Sequence, residues 1–248
     1  MILRQFLHTE PVIASSYLFG CAGHAAGAVV DPVGEPQRYL DAATALGLRL
    51  RYVIDTHVHA DHVSIARGLA AAAGAAYVLH ASARPRFSFE AVEDGDLLPL
   101  GNVSAEVLHV PGHTPEHLAL VVTDRTRSRE PWFVLTGHTL MVGDMGRTEL
   151  ATSAEEGARA LYRSAERLRR LPDYLEVQPG AFAGSVCGRG LSGKPASTIG
   201  FERRNNRAFS IEDEAAFVRL MLEEIPPRPA RAEEIRATNL GIAFPVEA

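Results

Sequence analysis

Four side chains of metal-binding types lie within six residues, directly after an apolar segment. They are His57, His59, Asp61 and His62, and the segment before them spans residues 50–55. A strand predicted for this segment would present the four side chains from a rigid edge. Imidazole nitrogens suit zinc and iron, and a carboxylate suits a harder ion or a proton-transfer step. We predict a metal site at this edge, with Asp61 and His62 as catalytic residues at a neighbouring position.

Two further loops each place a histidine at the end of an apolar segment. His113 lies in the turn VPGHTP of residues 110–115, and His138 follows the apolar residues 132–135. Proline and glycine favour a tight turn that holds His113 in place. The predicted metal ligands are therefore His57, His59, His113 and His138. The remaining histidines lack such a setting, and we interpret them as structural or exposed: His8, His24, His80, His109 and His117.

Strand-like and helical segments alternate along the chain. Helical periodicity occurs at residues 35–46, 64–76, 154–171 and 211–224. Strand-like patterns occur at residues 13–19, 27–30, 50–55, 76–79, 103–109, 118–123 and 132–136. This alternation predicts an α/β protein in which loops at strand ends carry the histidines.

The composition limits the kinds of partner. The chain has 248 residues and a formal net charge of −5, without the basic stripe of a nucleic-acid-binding protein. No apolar run approaches the ~18 residues of a membrane span, and two cysteines are too few for a disulfide framework. We expect a single domain over residues 1–248, with a C-terminal helix and tail from about residue 211. We expect it in the cytoplasm, without a nucleotide cofactor, nucleic acid or membrane partner.

Three strings of residues resemble the metallo-β-lactamase superfamily: THVHADH at 56–62, PGHTPEH at 111–117 and TGHTLMVGDMGRTEL at 136–150. The strings QPGAFAGSVCG at 178–188 and STIGFERRN at 197–205 are similar to those of bacterial persulfide dioxygenases, which are related to glyoxalase II thioesterases. The resemblance covers roughly residues 10 to 225. It implies a four-layer αββα sandwich and a metal-dependent enzyme.

Two positions depart from the family's pattern. The resemblance places a metal-binding aspartate where this chain has His138, and a histidine where it has Ala181. A second metal would then keep only Asp61 and His62, so we predict a mononuclear site. His138 has three options, which are to bind through Nδ1, to push the metal outward or to swing away.

The resemblance implies one Fe²⁺ per chain and oxidation of a glutathione-type persulfide by O₂ to sulfite. An all-histidine site is compatible with such non-haem iron chemistry. One alternative is a mononuclear zinc hydrolase of a thioester or lactone, with Asp61 as the general base. The other is a pseudoenzyme that lost its activity with the two departures.

Three residues are candidates for binding the substrate. Arg147 would pair with a substrate carboxylate, or else form a structural salt bridge with Glu149 or Asp144. Cys187 would exchange with persulfide sulfur, or else be a buried inert thiol. Arg203 carries the same ambiguity between substrate and structure. As partners we expect a homodimer and a separate rhodanese-type sulfur-transfer protein.

Overall fold

Within the part of the chain that the structure describes, two six-stranded sheets form the centre of the fold. The computed structural model describes residues 1–223, 225–229 and 231–242. The first sheet contains, in spatial order, β1 (Ile2–His8), β2 (Ala14–Cys21), β3 (Ala26–Val30), β4 (Arg49–Ile54), β5 (Ala76–His80) and β6 (Glu90–Val92). The second contains β12 (Ser197–Thr198), β11 (Glu176–Pro179), β10 (Phe133–Gly137), β9 (Leu118–Asp124), β8 (Val103–His109) and β7 (Leu97–Leu100).

Six α-helices in the described residues accompany the sheets. They are α1 (Pro36–Ala45), α2 (Ala66–Ala73), α3 (Ala154–Arg169), α4 (Ile199–Asn205), α5 (Glu214–Glu223) and α6 (Ala232–Asn239). None of the helices in the described ranges is long and apolar enough to cross a membrane.

Three clusters of buried apolar residues define the layers. One cluster joins the inner faces of the two sheets, where the rings of Phe19 and Phe133 meet edge to face at 6.2 Å. A second packs α1 and α2 on the outside of the first sheet. The third packs α3 and α5 on the outside of the second sheet. The predicted four-layer αββα sandwich is confirmed, because each sheet buries both faces.

Helix α3 illustrates how the sequence pattern makes an outer layer. Its predicted apolar stripe of Ala158, Leu161, Ala165 and Leu168 is fully buried against the second sheet. The Ser153 hydroxyl accepts a hydrogen bond from the Glu156 amide and caps the N-terminus. The stripe and the cap together fix the start and the orientation of the helix.

Strand direction brings the histidine loops to one edge. Strands β3 and β4 are parallel, so the loops after Val30 and Ile54 leave the first sheet side by side. In the second sheet β9 is antiparallel to both β8 and β10, and β10 is parallel to β11. Strands β8, β10 and β11 therefore end at the same edge, as parallel strands that build a site do.

The C-terminal part differs from the predicted tail. The helix predicted for 211–224 is α5, although Glu224 lies outside the described residues. Several elements have no counterpart among the predicted ones, namely the strands β1, β6, β7, β11 and β12 and the helices α4 and α6. Helix α6 occupies the stretch that the sequence pattern assigned to a tail, and it docks against the loop after β4. Its short length and mixed composition hide it from periodicity analysis.

Candidate metal centre

His57 is held at one ring nitrogen and free at the other. The Thr56 hydroxyl donates its proton to Asp31 Oδ2 at 2.8 Å, so its oxygen accepts from His57 Nδ1–H at 2.9 Å. This leaves the lone pair on His57 Nε2, which is buried. Burial and the neighbouring His59 lower the pKa of His57 well below its usual value. A neutral imidazole with one free nitrogen is the form that binds a metal ion.

His113 is oriented in the same way from the second sheet. Its Nδ1–H donates to the carbonyl oxygen of Arg147 at 2.7 Å, which leaves Nε2 with the lone pair. Burial and the neighbouring His138 lower the pKa of His113 to about 3. The side chain is therefore a neutral ligand with its free nitrogen facing the cluster.

His138 directs Nδ1 at the same point. This nitrogen lies 3.3 Å from His113 Nε2, and the ligand atoms of His57, His113 and His138 all lie within 4.8 Å of one another. Two nitrogens bound to one metal at about 2.0–2.1 Å in a tetrahedron lie about 3.4 Å apart. His138 has therefore not swung away from the histidine group, and its Nδ1 faces His113 Nε2.

His59 turns its other nitrogen to the site. Its Nε2–H donates to Asp31 Oδ1 at 3.3 Å, and its buried Nδ1 lies 3.7 Å from Asp61 Oδ1. Burial lowers the pKa of His59, but the hydrogen bond to Asp31 and the nearby carboxylates of Asp61 and Asp55 outweigh it, and the pKa stands well above its usual value. The ligand atoms of His59 group with those of Asp61 and His62. His59 thus lies between the histidine group and Asp61.

Buried ring nitrogens that lack a hydrogen-bond partner, here called orphaned nitrogens, test whether the site fits a metal. Within the described ranges, three buried ring nitrogens have no hydrogen-bond partner: His57 Nε2, His59 Nδ1 and His62 Nε2. A buried polar atom without a partner costs about 1–3 kcal/mol, and such atoms are rare in native structures. Since all three belong to the predicted site, the residues present fit a divalent metal.

His117 supports His138 through the backbone. Its Nε2 accepts from the His138 amide at 3.0 Å, and its Nδ1–H donates to the Thr139 hydroxyl at 3.0 Å. The ring also stacks on His57, with centroids 4.8 Å apart. The interpretation of His117 as structural is consistent with these contacts, and its structural task is to position two predicted ligands.

Gly137 lets these rings approach. Its φ is +50°, and a Cβ there would lie 2.6 Å from both His117 Cε1 and Thr56 Oγ1. Any side chain would push apart the stacked rings, and the left-handed backbone itself favours glycine. The glycine before His138 is therefore a requirement of the site's packing.

Helix α6 fastens the loop that carries the first histidines. The Asn239 side-chain amide donates to the carbonyl oxygens of His59 and His62, both at 2.9 Å, and its oxygen accepts from the Ser64 amide. Three hydrogen bonds from one side chain span residues 59–64. The distant C-terminal part thereby fixes the backbone of the metal-binding loop.

A partly buried ion pair makes the second contact between α6 and the loop. Arg236 donates to both carboxylate oxygens of Glu116 at 3.0 Å and to the Val58 carbonyl oxygen. Glu116 in turn accepts from the Val58 amide at 2.9 Å. This paired fork–fork geometry is the strong form of a salt bridge, and it joins the loop after β4 to the turn after β8.

The Asp61 half of the site has a different composition. Asp61 Oδ1 accepts from His62 Nδ1 at 2.9 Å, and Asp61 Oδ2 accepts from the Cys187 thiol at 3.7 Å. Burial raises the pKa of Asp61, but the neighbouring His62 outweighs it and the pKa stands well below its usual value. Ala181 is buried and offers no ligand atom. This half thus combines a carboxylate, an imidazole and a thiol.

Arg147 is engaged entirely by the protein. Its guanidinium forms a salt bridge with Glu149 and donates to the carbonyl oxygens of Val186, Pro226 and Pro227 at 2.8–3.0 Å. The side chain is buried. Of the two interpretations left open for Arg147, the geometry supports the structural salt bridge with Glu149.

Arg203 likewise has structural contacts. It pairs with Asp173 and donates to the carbonyl oxygens of Arg169 and Leu171, near the end of α3. None of its described partners belongs to the histidine group. The predicted role of Arg203 in binding substrate gains no support from this placement.

The family model of the metallo-beta-lactamase superfamily matches residues 9–177, about two thirds of the chain. This match includes the strands and loops that carry His57, His59, Asp61, His62, His113 and His138. The chain belongs to the metallo-beta-lactamase superfamily. Members of this superfamily are metal-dependent, which agrees with the orphaned nitrogens described above.

Individual relatives carry two kinds of name. A hydroxyacylglutathione hydrolase of Methylococcus capsulatus is 38% identical over 67% of this chain and 62% of its own length, so the chain spans less than two thirds of that protein. The mitochondrial persulfide dioxygenase ETHE1 of Bos taurus is 29% identical over 99% of this chain and 91% of its own length. The crystal structure of ETHE1 from Myxococcus xanthus superimposes with a TM-score of 0.83 at 29% identity, over 97% of this chain and 99% of that one. These similarities support the persulfide dioxygenase and glyoxalase II-like branch.

Asp31 is a site residue that the sequence analysis missed. Its carboxylate accepts from the Thr56 amide, the Thr56 hydroxyl and His59 Nε2. The only signal for it is local, an aspartate followed by proline at the end of an apolar strand. Such a residue is otherwise typical of a turn, so its role depends on the parallel pairing of β3 with β4.

Proposed function

We propose that this protein is a non-haem iron enzyme that oxidises a low-molecular-weight persulfide of the glutathione type. The observation that carries the proposal is the three-histidine group in which His138 Nδ1 lies 3.3 Å from His113 Nε2. A carboxylate-bridged pair of metals, as a two-metal hydrolase uses, is not what this ligand set offers. The similarity to the persulfide dioxygenase of Bos taurus, which extends over 99% of the chain, supports the same choice.

The reaction consumes one persulfide anion, one O₂ and one water, and yields one thiol, one sulfite dianion and one proton. The terminal sulfur is oxidised, O₂ is reduced, and the sulfur–sulfur bond is broken with the thiol as the leaving group. His57, His59, His113 and His138 would hold the iron, which supplies the open coordination positions for sulfur and oxygen chemistry.

The surrounding residues contribute charge and orientation. Neutral imidazoles leave the full positive charge of a divalent ion in the site, which favours an anionic sulfur ligand. Asp61, whose pKa is held low, remains a carboxylate and orients His62 through its Oδ1. Cys187 presents a protonated thiol, because burial and the Asp61 carboxylate raise its pKa well above its usual value.

Metal analysis of protein purified without added metal tests the proposal. We expect about one iron per chain, O₂ uptake with glutathione persulfide and none with glutathione alone. His113→Ala should lose both the iron and the O₂ uptake, whereas His24→Ala, an exposed histidine outside the site, should keep both. A protein with no bound metal, or with iron but no persulfide-dependent O₂ uptake, would contradict the proposal.

A zinc hydrolase of a thioester or lactone is the second candidate. It is favoured by the 38% identity with the Methylococcus capsulatus hydroxyacylglutathione hydrolase. Here Asp61 would act as the general base on a water molecule. Stoichiometric zinc, thioester hydrolysis and no O₂ uptake in the same preparation would replace the first proposal with this one.

A further inference from the structure

The loop that follows β10, residues 138–147, serves the metal centre at both of its ends. His138 lies at its start, and the carbonyl oxygen of Arg147 at its end orients His113. The two ends lie against each other, because a Cβ at Gly146 would lie 2.1 Å from the His138 carbonyl oxygen. The shape of this loop therefore sets the positions of two predicted ligands.

Glu202 of helix α4 holds the middle of this loop. Its Oε2 accepts from the Gly143 amide at 2.9 Å and from the Asn206 side-chain amide at 2.7 Å. Its Oε1 accepts from the Ser197 hydroxyl at 2.6 Å, and the side chain is fully buried. Glu202 thus joins the loop, the strand β12 and the end of α4 at one point.

Asn206 holds the same part of the loop from the end of α4. Its side-chain amide also donates to the carbonyl oxygens of Met141 at 3.0 Å and Asp144 at 3.2 Å. The Arg207 amide donates to the Gly143 carbonyl oxygen at 3.0 Å. Residues 202–207 thereby fix one amide and three carbonyl oxygens of the loop's backbone.

These contacts give a role to the string STIGFERRN at 197–205, which the histidine group alone leaves unexplained. The Thr198 hydroxyl caps α4 by accepting from the Phe201 amide. The Ser197 hydroxyl donates directly to Glu202. The string therefore starts a short helix beside the loop and orients one buried carboxylate toward it.

The choice of a carboxylate at position 202 has a physical cost. Burying a carboxylate destabilises a protein unless hydrogen bonds satisfy its oxygens, and one of the three donors to Glu202 is the Gly143 amide of the loop. An apolar side chain would fill the space without fixing that amide. A buried polar network whose groups are all paired specifies a single local arrangement, so the carboxylate holds the loop in one shape.

We propose that Glu202 and Asn206 are positioning residues of the metal centre. They fix the loop so that His138 Nδ1 and the Arg147 carbonyl oxygen keep their places, as outer partners of metal ligands do. The inference rests on the proposed metal binding by the histidines. It applies equally to iron and to zinc, because both residues act on the backbone of the loop.

Cobalt substitution tests this role separately from the reaction. Glu202→Ala and Asn206→Ala should lower the affinity of the histidine group for Co²⁺ roughly 10–100-fold in competition with a chelator. They should also change the visible absorption of the bound Co²⁺, because His138 is displaced. Glu202→Gln keeps the shape and an oxygen that accepts from Gly143, so it should restore most of the affinity and the wild-type spectrum.

Two further variants of α4 separate positioning from stability. Ile199→Ala removes a fully buried side chain that packs in the apolar cluster outside the second sheet. Asn205→Ala removes an exposed amide that donates within α4. The first should lower the urea midpoint of unfolding and the second should leave it unchanged. Both should bind Co²⁺ with the affinity and the spectrum of the wild type.

Hydrogen exchange in the metal-free protein gives a second measurement. Relative to β9, the amides of residues 139–146 should exchange at least about tenfold faster in Glu202→Ala than in Ile199→Ala. The proposal is overturned if Glu202→Ala binds Co²⁺ like the wild type, or if Ile199→Ala alters the cobalt site as much. A protein that binds Co²⁺ as expected but takes up no O₂ with a persulfide contradicts only the proposed function.

Discussion

The two halves of the site are built in different ways. In the histidine half, three rings have an outer partner in a second layer: His57 has Thr56, His59 has Asp31, and His113 has the Arg147 carbonyl oxygen. In the Asp61 half, the ligand atoms contact one another, since Asp61 accepts from His62 on one oxygen and from Cys187 on the other.

The ligands of the histidine half are therefore preorganised, whereas those of the Asp61 half satisfy one another's hydrogen bonds. The outer hydrogen bonds of His57 and His113 fix which ring nitrogen is free, so these two ligands are ready for a metal before one arrives. In the Asp61 half, a cation that binds Asp61 must first displace the hydrogen bonds that His62 and Cys187 donate to its carboxylate. We therefore expect the histidine half to bind a metal more tightly than the Asp61 half.

Removing a ligand from the histidine half should have the largest effect. His113→Ala deletes the nitrogen that faces His138 and leaves the Arg147 carbonyl oxygen without its donor. We expect the affinity of the histidine half for a metal to fall more than about 100-fold, beyond the 10–100-fold typical of losing an outer partner. Competition with a chelator measures this change. A metal affinity within tenfold of wild type would contradict the statement that the histidine half binds the metal more tightly than the Asp61 half.

Removing an outer partner tests the preorganisation itself. Asp31→Asn lacks the charge and one of the acceptor oxygens that serve Thr56 and His59. We expect roughly a 10–100-fold loss of metal affinity in the histidine half. Asp41→Asn, an exposed carboxylate on α1 that accepts from Gln37, is the control and should bind metal like the wild type. Equal affinities of the two variants would show that Asp31 does not orient His59.

Removing the hydrogen bonds between α6 and the loop after β4 should weaken metal binding in the Asp61 half more than in the histidine half. Asn239→Ala removes three hydrogen bonds to residues 59–64 and should lower the free energy of unfolding by about 1–3 kcal/mol. Urea unfolding measures the stability, and chelator competition measures metal binding in each half. The neighbouring Thr238→Ala, an exposed hydroxyl that bonds only within α6, should leave both unchanged. A larger effect on the histidine half than on the Asp61 half would reverse the comparison.

The smallest expected effect concerns the pH dependence of the free energy of unfolding. It distinguishes the stability that is lost on acidification from the metal that is lost on acidification. Burial and the nearby Arg38 lower the pKa of His8 to about 4. Between its unfolded pKa of about 6.5 and this value, the unfolded chain binds more protons, so stability falls as the pH falls through that window. His8→Gln should flatten this part of the pH dependence in metal-free protein. An unchanged slope would assign the acid sensitivity to the site histidines instead.

Much of the fold and half of the site follow from local patterns. The apolar segment 50–55 and the motif after it predict β4 and its metal-binding loop, and the turn around His113 is equally visible. The alternation of short strands and helices predicts the α/β class. These signals are local because strand period, turn residues and ligand types are all read within a few positions.

The chain's own sequence determined which side chains can bind metal, the superfamily, and the departures at His138 and Ala181. Only the tertiary structure decided which of them share a metal position, because the parallel pairing of β3 with β4 and of β10 with β11 brings separate loops to one edge. It also placed Cys187 against Asp61 and Asn239 against His59, across 126 and 180 positions of chain. Contacts at such separations depend on packing two sheets and an outer helix together, and no local pattern specifies them.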